Sequence, residues 1–193
     1  MVAGYHLMWT AYACWLPNDL RGSTSAEIRA ERIASLGELH QGRKAIQPNA
    51  NEIRAFFKLA EELLAHPRRI FNDEEALVIA KSFAKTIKNR VCTCYECAMM
   101  PDHVHILIRR HRDKAEDMIG FFQDDSKAAL IRAGRRPVNH PVWGGPGWKV
   151  FLNTREDMER IVKYIRNNPI KAGLKAQRWG FIKEYNGWLP RRR

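Results

Sequence analysis

His103 and His105 stand one residue apart in MPDHVHILI, a run from Met100 to Ile108 that otherwise has the composition of a buried strand. Side chains alternate on a strand, so both imidazoles leave one face while Val104, Ile106 and Ile108 leave the other. Two ring nitrogens aimed at one place suit a divalent cation, provided the fold supplies another ligand. The same pair also suits the solvated face of a half-buried strand, and His-x-His alone does not separate the two readings. Asp102 falls on the opposite side by the same alternation, which leaves it a turn-forming role with Pro101.

The missing groups stand in KYIRNNP. Tyr164 and Asn168 are four residues apart and share one face of a helix, a turn from each other. Asn167 is turned roughly 100° away. A phenol can attack a phosphate and an amide oxygen can ligate the cation that holds it. Singly, Tyr164 also fits a core aromatic and Asn168 a helix C-cap before Pro169. Joined to His103 and His105 they form a coherent phosphoryl-transfer set.

The elements that must position these residues follow from local pattern. GYHLMWTAYACWL, rich in aromatics, reads as a first strand ended by PNDLRG. Residues from about 23 to 71 form a surface excursion, with a short helix around SAEIRAERIASLGEL and a better one in NEIRAFFKLAEELLAH. NDEEALVIAKSFAKTIKNR has Asn72 or Asp73 to cap it, acids at its start and bases at its end. VCTCYECAMM and HVHILIRR are strands joined by a tight turn. A helix from Ala115 to Arg132, a Gly- and Pro-rich loop, the short strand KVFLN and a helix begun by Thr154 and Asp157 complete the order. The layout predicts an α+β fold, a ferredoxin-like antiparallel sheet with helices packed on one face, in one domain over 1–193.

Thirty-three Lys and Arg against twenty-one Asp and Glu give a net charge of +12, which points to a polyanion and first to nucleic acid. No run approaches the length of a membrane span and no secretory leader is evident, so the expected location is cytoplasmic, with no membrane partner. Cys92, Cys94 and Cys97 lack the second pair of a zinc site and read as reduced strand residues, as Cys14 does. From about 171 onward Lys171, Lys175, Arg178, Lys183, Arg191, Arg192 and Arg193 interleave with Trp179, Phe181, Tyr185 and Trp188. This basic tail could pair phosphates and stack on bases, or pack its rings onto the domain.

MPDHVHILI followed later by YIRNNPIKAGL resembles the HUH endonuclease superfamily, and within it the IS200-like single-strand tyrosine transposases and their domesticated REP-associated relatives. His103, Val104 and His105 match the histidine-hydrophobic-histidine motif. Tyr164 to Leu174 match the tyrosine helix running into Asn-Pro and Ala-Gly-Leu, and YHLMWTAYACWLP looks like the first strand. The resemblance covers the first twenty residues and about 72 to 190. It leaves the excursion unexplained, and WGGPGWKVF departs from the aromatic spacing common in relatives.

The resemblance implies a metal-dependent transposase and endonuclease that cleaves and rejoins single-stranded or hairpin DNA through a 5'-phosphotyrosine. Tyr164 would be the nucleophile, and His103, His105 and Asn168 the ligands of Mg²⁺ or Mn²⁺. Two imidazoles suit Mn²⁺ better, so both metals stay open. Lys127 matches a position where relatives often carry a DNA-tracking base. One tyrosine per site requires two rounds or two subunits, so monomer and homodimer both remain open. Two rivals stand beside this: a domesticated hairpin-DNA-binding protein that does not cut, and a His-x-His hydrolase without a DNA role, which fits the charge poorly.

Overall fold

The structure is a computed structural model that describes residues 1–190 except Thr24 and Arg29. The elements in chain order are β1 (Gly4–Thr10), β2 (Gly22–Ser23), α1 (Glu31–Ala34), β3 (Gly42–Arg43), α2 (Ala50–Leu63), α3 (Asp73–Arg90), β4 (Cys94–Met99), β5 (His103–Arg109), α4 (Ala115–Arg132), β6 (Trp148–Leu152) and α5 (Arg155–Lys171). The main sheet has the order β4-β5-β1-β6, antiparallel throughout. With α3 and α4 as its crossovers this is the ferredoxin-like α+β arrangement expected from the sequence.

Strand alternation divides the core into two layers. Tyr5, Leu7 and Trp9 of β1 and Val104, Ile106 and Ile108 of β5 pack under Ile79 and Phe83 of α3 and Met118 and Phe122 of α4. The other face offers Ala3, Ala98, Leu107 and Leu152 to Met158, Ile161, Val162 and Ile165 of α5. The helix placement therefore differs from the expectation in one respect: α3 and α4 share a face, and α5 lies across the opposite one. Both sheet faces carry apolar positions, so each attracts an apolar helix stripe.

Capping explains where the helices begin. Asn72 accepts from the backbone N–H of Glu75 while the Glu75 carboxylate accepts from that of Asn72, a reciprocal box that starts α3. Asn49 and Glu52 do the same for α2. Thr154 accepts from Asp157 at the start of α5. That helix continues through the buried Pro169 instead of ending before it. The proline forfeits one hydrogen bond to the preceding turn, and Ala172 and Leu174 close the last turn onto Asn168 and Pro169. β1 is shorter than the aromatic run suggested, because Ala13 takes a left-handed φ of 58° and turns the chain away.

The excursion has a small core of its own, in which Ile33 of α1 meets Phe56, Phe57 and Ala60 of α2. The residue after β1 and the last residue of the excursion are both tied to the β4–β5 turn: Ala11 donates to the carbonyl of Asp102, and Phe71 donates to that of Pro101. After α5 the chain runs along the outer edge of β4, where Gln177 bonds both backbone groups of Met99 and Lys183 donates to Cys94. Among the described residues no helix is long and apolar enough to cross a membrane.

Candidate active site

β5 projects His103 and His105 from one face with ring centroids 4.8 Å apart. β1 lies beside it in a register that pairs Met8 with His105 and His6 with Leu107. His6 thus shares their face, diagonal to His105, and His6 Nε2 and His105 Nδ1 share a hydrogen bond of 3.0 Å. Sequence reasoning missed His6. The available signal was an imidazole at an inward position of a strand otherwise filled by Tyr5, Leu7 and Trp9, where a buried ring nitrogen requires a partner.

Burial is the main cause of the low pKa of both rings. His105 is pushed down to about 2, with help from the neighbouring His103 and His6, and His6 to about 4, with help from Arg160. Both are neutral imidazoles near neutral pH, the form that donates a lone pair to a metal.

His103 is held differently. Its Nδ1 donates to Asp102 Oδ1 at 2.6 Å. Burial alone would raise the Asp102 carboxyl, but the hydrogen bond and charge of His103, with Arg21 adding to them, bring it below its ordinary value. The expectation that Asp102 faces away from His103 is thereby corrected. β5 begins at His103, so Asp102 belongs to the turn and the alternation rule does not reach it.

α5 crosses this face and brings Tyr164 to the imidazoles. The Tyr164 ring stands 5.4 Å from the His105 centroid at 86°, and 5.9 Å from that of His6. It is 44% exposed, so a substrate can reach it. Two residues on, the Arg166 guanidinium donates to the buried Glu96 carboxylate of β4 at 2.9 Å, which fixes the rotation of α5 over the sheet. Asn168 follows Tyr164 by one turn and is half-buried, and among the described residues its side-chain amide has no hydrogen-bond partner. The structure therefore gathers His103, His105 and Tyr164, adds His6 and Asp102, and leaves Asn168 one turn beyond.

These side chains fit a divalent cation. Neither His103 Nε2 nor His105 Nε2 has a partner among the described residues, and neither is sealed from solvent. Each ring is steadied through its other nitrogen, by Asp102 or by His6, which is how metal-binding histidines are commonly oriented. No three His, Cys, Asp or Glu side chains among the described residues form a closed cage. The Asn168 amide oxygen, water or substrate oxygen would have to complete the set.

The expected DNA contacts divide by face. Lys127 is exposed on α4, across the sheet from the imidazoles. Lys171 ends α5 one turn past Asn168, and Lys175 and Arg178 are exposed in the segment that follows. Arg191, Arg192 and Arg193 lie outside the described residues. The aromatic rings of the tail serve packing. Trp179 and Phe181 lean on the α3–α4 core, Tyr185 meets Tyr95 at 5.0 Å, and Trp188 lies 3.4 Å beneath the Arg109 guanidinium. In WGGPGWKVF, Trp143 is inserted between Trp9 and Phe71, while Trp148 is exposed.

No curated protein matches the chain. A solved structure of a REP-associated tyrosine transposase bound to a REP hairpin is similar with a TM-score of 0.48 at 10% identity, over 90% of this chain and 70% of that one. The family described as Transposase IS200 like matches residues 64–168, more than half of the 193-residue chain and the stretch that holds His103, His105, Tyr164 and Asn168. The chain belongs to the IS200-like transposase family.

Proposed function

We propose that this chain cuts and rejoins single-stranded or hairpin DNA, with Tyr164 as nucleophile and His103, His105 and Asn168 as ligands of Mg²⁺ or Mn²⁺. The observation that carries this reading is the placement of an exposed phenol 5.4 Å, ring to ring, from a neutral, buried imidazole whose neighbour is a second imidazole on the same strand. A core aromatic would be enclosed, and a solvated histidine pair would not be buried or braced from behind.

Tyr164 Oη attacks the phosphorus of a phosphodiester. The bond from phosphorus to the 3' oxygen breaks and that oxygen takes a proton from solvent water, leaving a 5'-phosphotyrosine and a free 3'-OH. The phenol is a weak nucleophile at a free pKa of about 10, and its proton leaves to the water that the exposed ring meets. When bound, the cation would draw charge from the non-bridging oxygens and orient the phosphate. The ester is conserved, so attack by another 3'-OH reverses the step and joins strands without further energy. Lys171 ends the tyrosine helix and Lys175 and Arg178 follow it, where a strand leaving Tyr164 toward Asn168 would find positive charge. With one tyrosine per chain, complete transfer needs two rounds or two copies.

Labelled hairpins from the sequence flanking the gene, incubated with Mn²⁺, Mg²⁺ or chelator and run on a denaturing gel, test the proposal. A metal-dependent protein–DNA adduct that disappears in Tyr164→Phe supports it. Binding without an adduct under any metal favours the rival reading, a hairpin-DNA-binding protein that does not cut.

A further inference from the structure

The site contains one imidazole that the transposase chemistry does not require. His6 is 3% exposed, sits on the central strand β1, and spends its Nε2 on His105 Nδ1 at 3.0 Å. Two neutral imidazoles can share that bond in two ways. If His6 Nε2–H donates, the single proton of His105 resides on Nε2 and that nitrogen has no lone pair to offer. If His105 Nδ1–H donates, its Nε2 lone pair is free. His6 does not join the set as a ligand here, because its Nε2 is engaged and no three such side chains form a cage among the described residues.

We infer that His6 is a positioning residue: it accepts the Nδ1 proton of His105 and so fixes the one tautomer and ring orientation in which His105 Nε2 can bind a cation. Among the described residues His6 is the only acceptor placed at His105 Nδ1. The arrangement mirrors the other half of the site, where Asp102 Oδ1 accepts the hydrogen bond from His103 Nδ1–H. A carboxylate and an imidazole, from different parts of the chain, thus set the two rings alike. The consequence for cation affinity rests on the proposed metal site, whereas the tautomer does not.

The test uses the metal-free full chain. Long-range proton–nitrogen NMR of the His105 ring should show the Nδ1–H form in wild type. In His6→Phe, which keeps an aromatic ring but offers no acceptor, that form should give way to Nε2–H or a mixture. His6→Gln, whose amide oxygen can accept, should restore it. Mn²⁺ titrations followed by EPR should show affinity about ten- to hundredfold weaker in His6→Phe and largely recovered in His6→Gln. An Nε2–H His105 in wild type, or a tautomer unmoved by His6→Phe, overturns the inference. Should His6→Phe fail to fold, the wild-type spectrum still decides. Wild type with the Nδ1–H tautomer but no Mn²⁺ affinity supports the positioning role and counts against the metal site.

Discussion

Tyr164 meets His105 edge to face, at 86° and 5.4 Å between centroids, across the gap between a helix and the sheet it covers. The contact unites two features that lie far apart in the chain, and it does so through the aromatic part of the tyrosine. The hydroxyl is free of that packing.

Tyr164→Phe should therefore separate chemistry from stability. The ring contact survives and the side chain is already 44% exposed, so urea unfolding should shift by no more than about 0.5 kcal/mol. A loss of several times that amount would show that the hydroxyl is structural.

Acid should destabilise the fold through the imidazole pair. Burial lowers His105 to about 2 and His6 to about 4 from 6.5. Between pH 6.5 and 4 the unfolded chain takes up protons that the folded chain refuses, so their contribution is complete above pH 6.5 and declines as pH falls. Each ring adds a slope that approaches a limit of about 1.4 kcal/mol per pH unit well below pH 6.5. Urea unfolding at pH 7, 6 and 5 measures it, and His6→Gln should remove about half. A profile unchanged by His6→Gln would contradict this account.

Arg166→Ala should leave the Glu96 carboxylate, only 5% exposed, without its partner. Because Arg166 is itself 58% exposed, the loss should be about 2 kcal/mol, below the range for fully buried pairs. Combining Arg166→Ala with Glu96→Gln should recover most of it in a double-mutant cycle. A double-variant loss equal to the sum of the two single losses would mean that the pair is not coupled.

Lys127 and Lys171 should differ in their effect on DNA. Lys171→Ala and Lys175→Ala should each lower the slope of log affinity against log salt by about 0.7 to 0.9. Lys127→Ala, on the other side of the sheet, should leave it unchanged. The opposite ranking would move the DNA path to the α4 face.

Gly147 has φ +81°, and a Cβ there would lie 2.8 Å from the Met8 carbonyl oxygen. Gly134 has φ +64° in open space. Alanine at Gly134 should cost about 1 kcal/mol from backbone strain alone, and alanine at Gly147 about 2 kcal/mol or more, since the strand must also shift. Calorimetry on both variants separates strain from clash. Equal losses would show that β1 yields freely.

The sequence revealed those parts of the site that depend on local period. The parity of β5 put His103 and His105 on one face, and the helical turn joined Tyr164 to Asn168. His6 and Asp102 were hidden for different reasons. His6 needs the β1–β5 register, which joins residues 99 positions apart, while Asp102 sits one residue outside the strand whose alternation was used to place it. The side taken by α5 was hidden because Leu107 reads simply as another member of an apolar run. In the excursion the expected helix around SAEIRAERIASLGEL shrinks to Glu31–Ala34, where Ala30 offers no capping side chain, whereas α2 has the reciprocal box of Asn49 and Glu52.

The two margins of the sheet are unequal. The chain's own C-terminal segment occupies β4 at Met99 and Cys94, while no described strand pairs with the outer side of β6, where Trp148, Val150 and Phe151 are exposed. In the language of valence, such a sheet has one bonding site rather than two. A copy that joined it by continuing the strands at β6 would meet its own β6 about a two-fold axis and leave outside only the β4 margins that each C-terminal segment lines, so such pairing favours a closed pair over a filament.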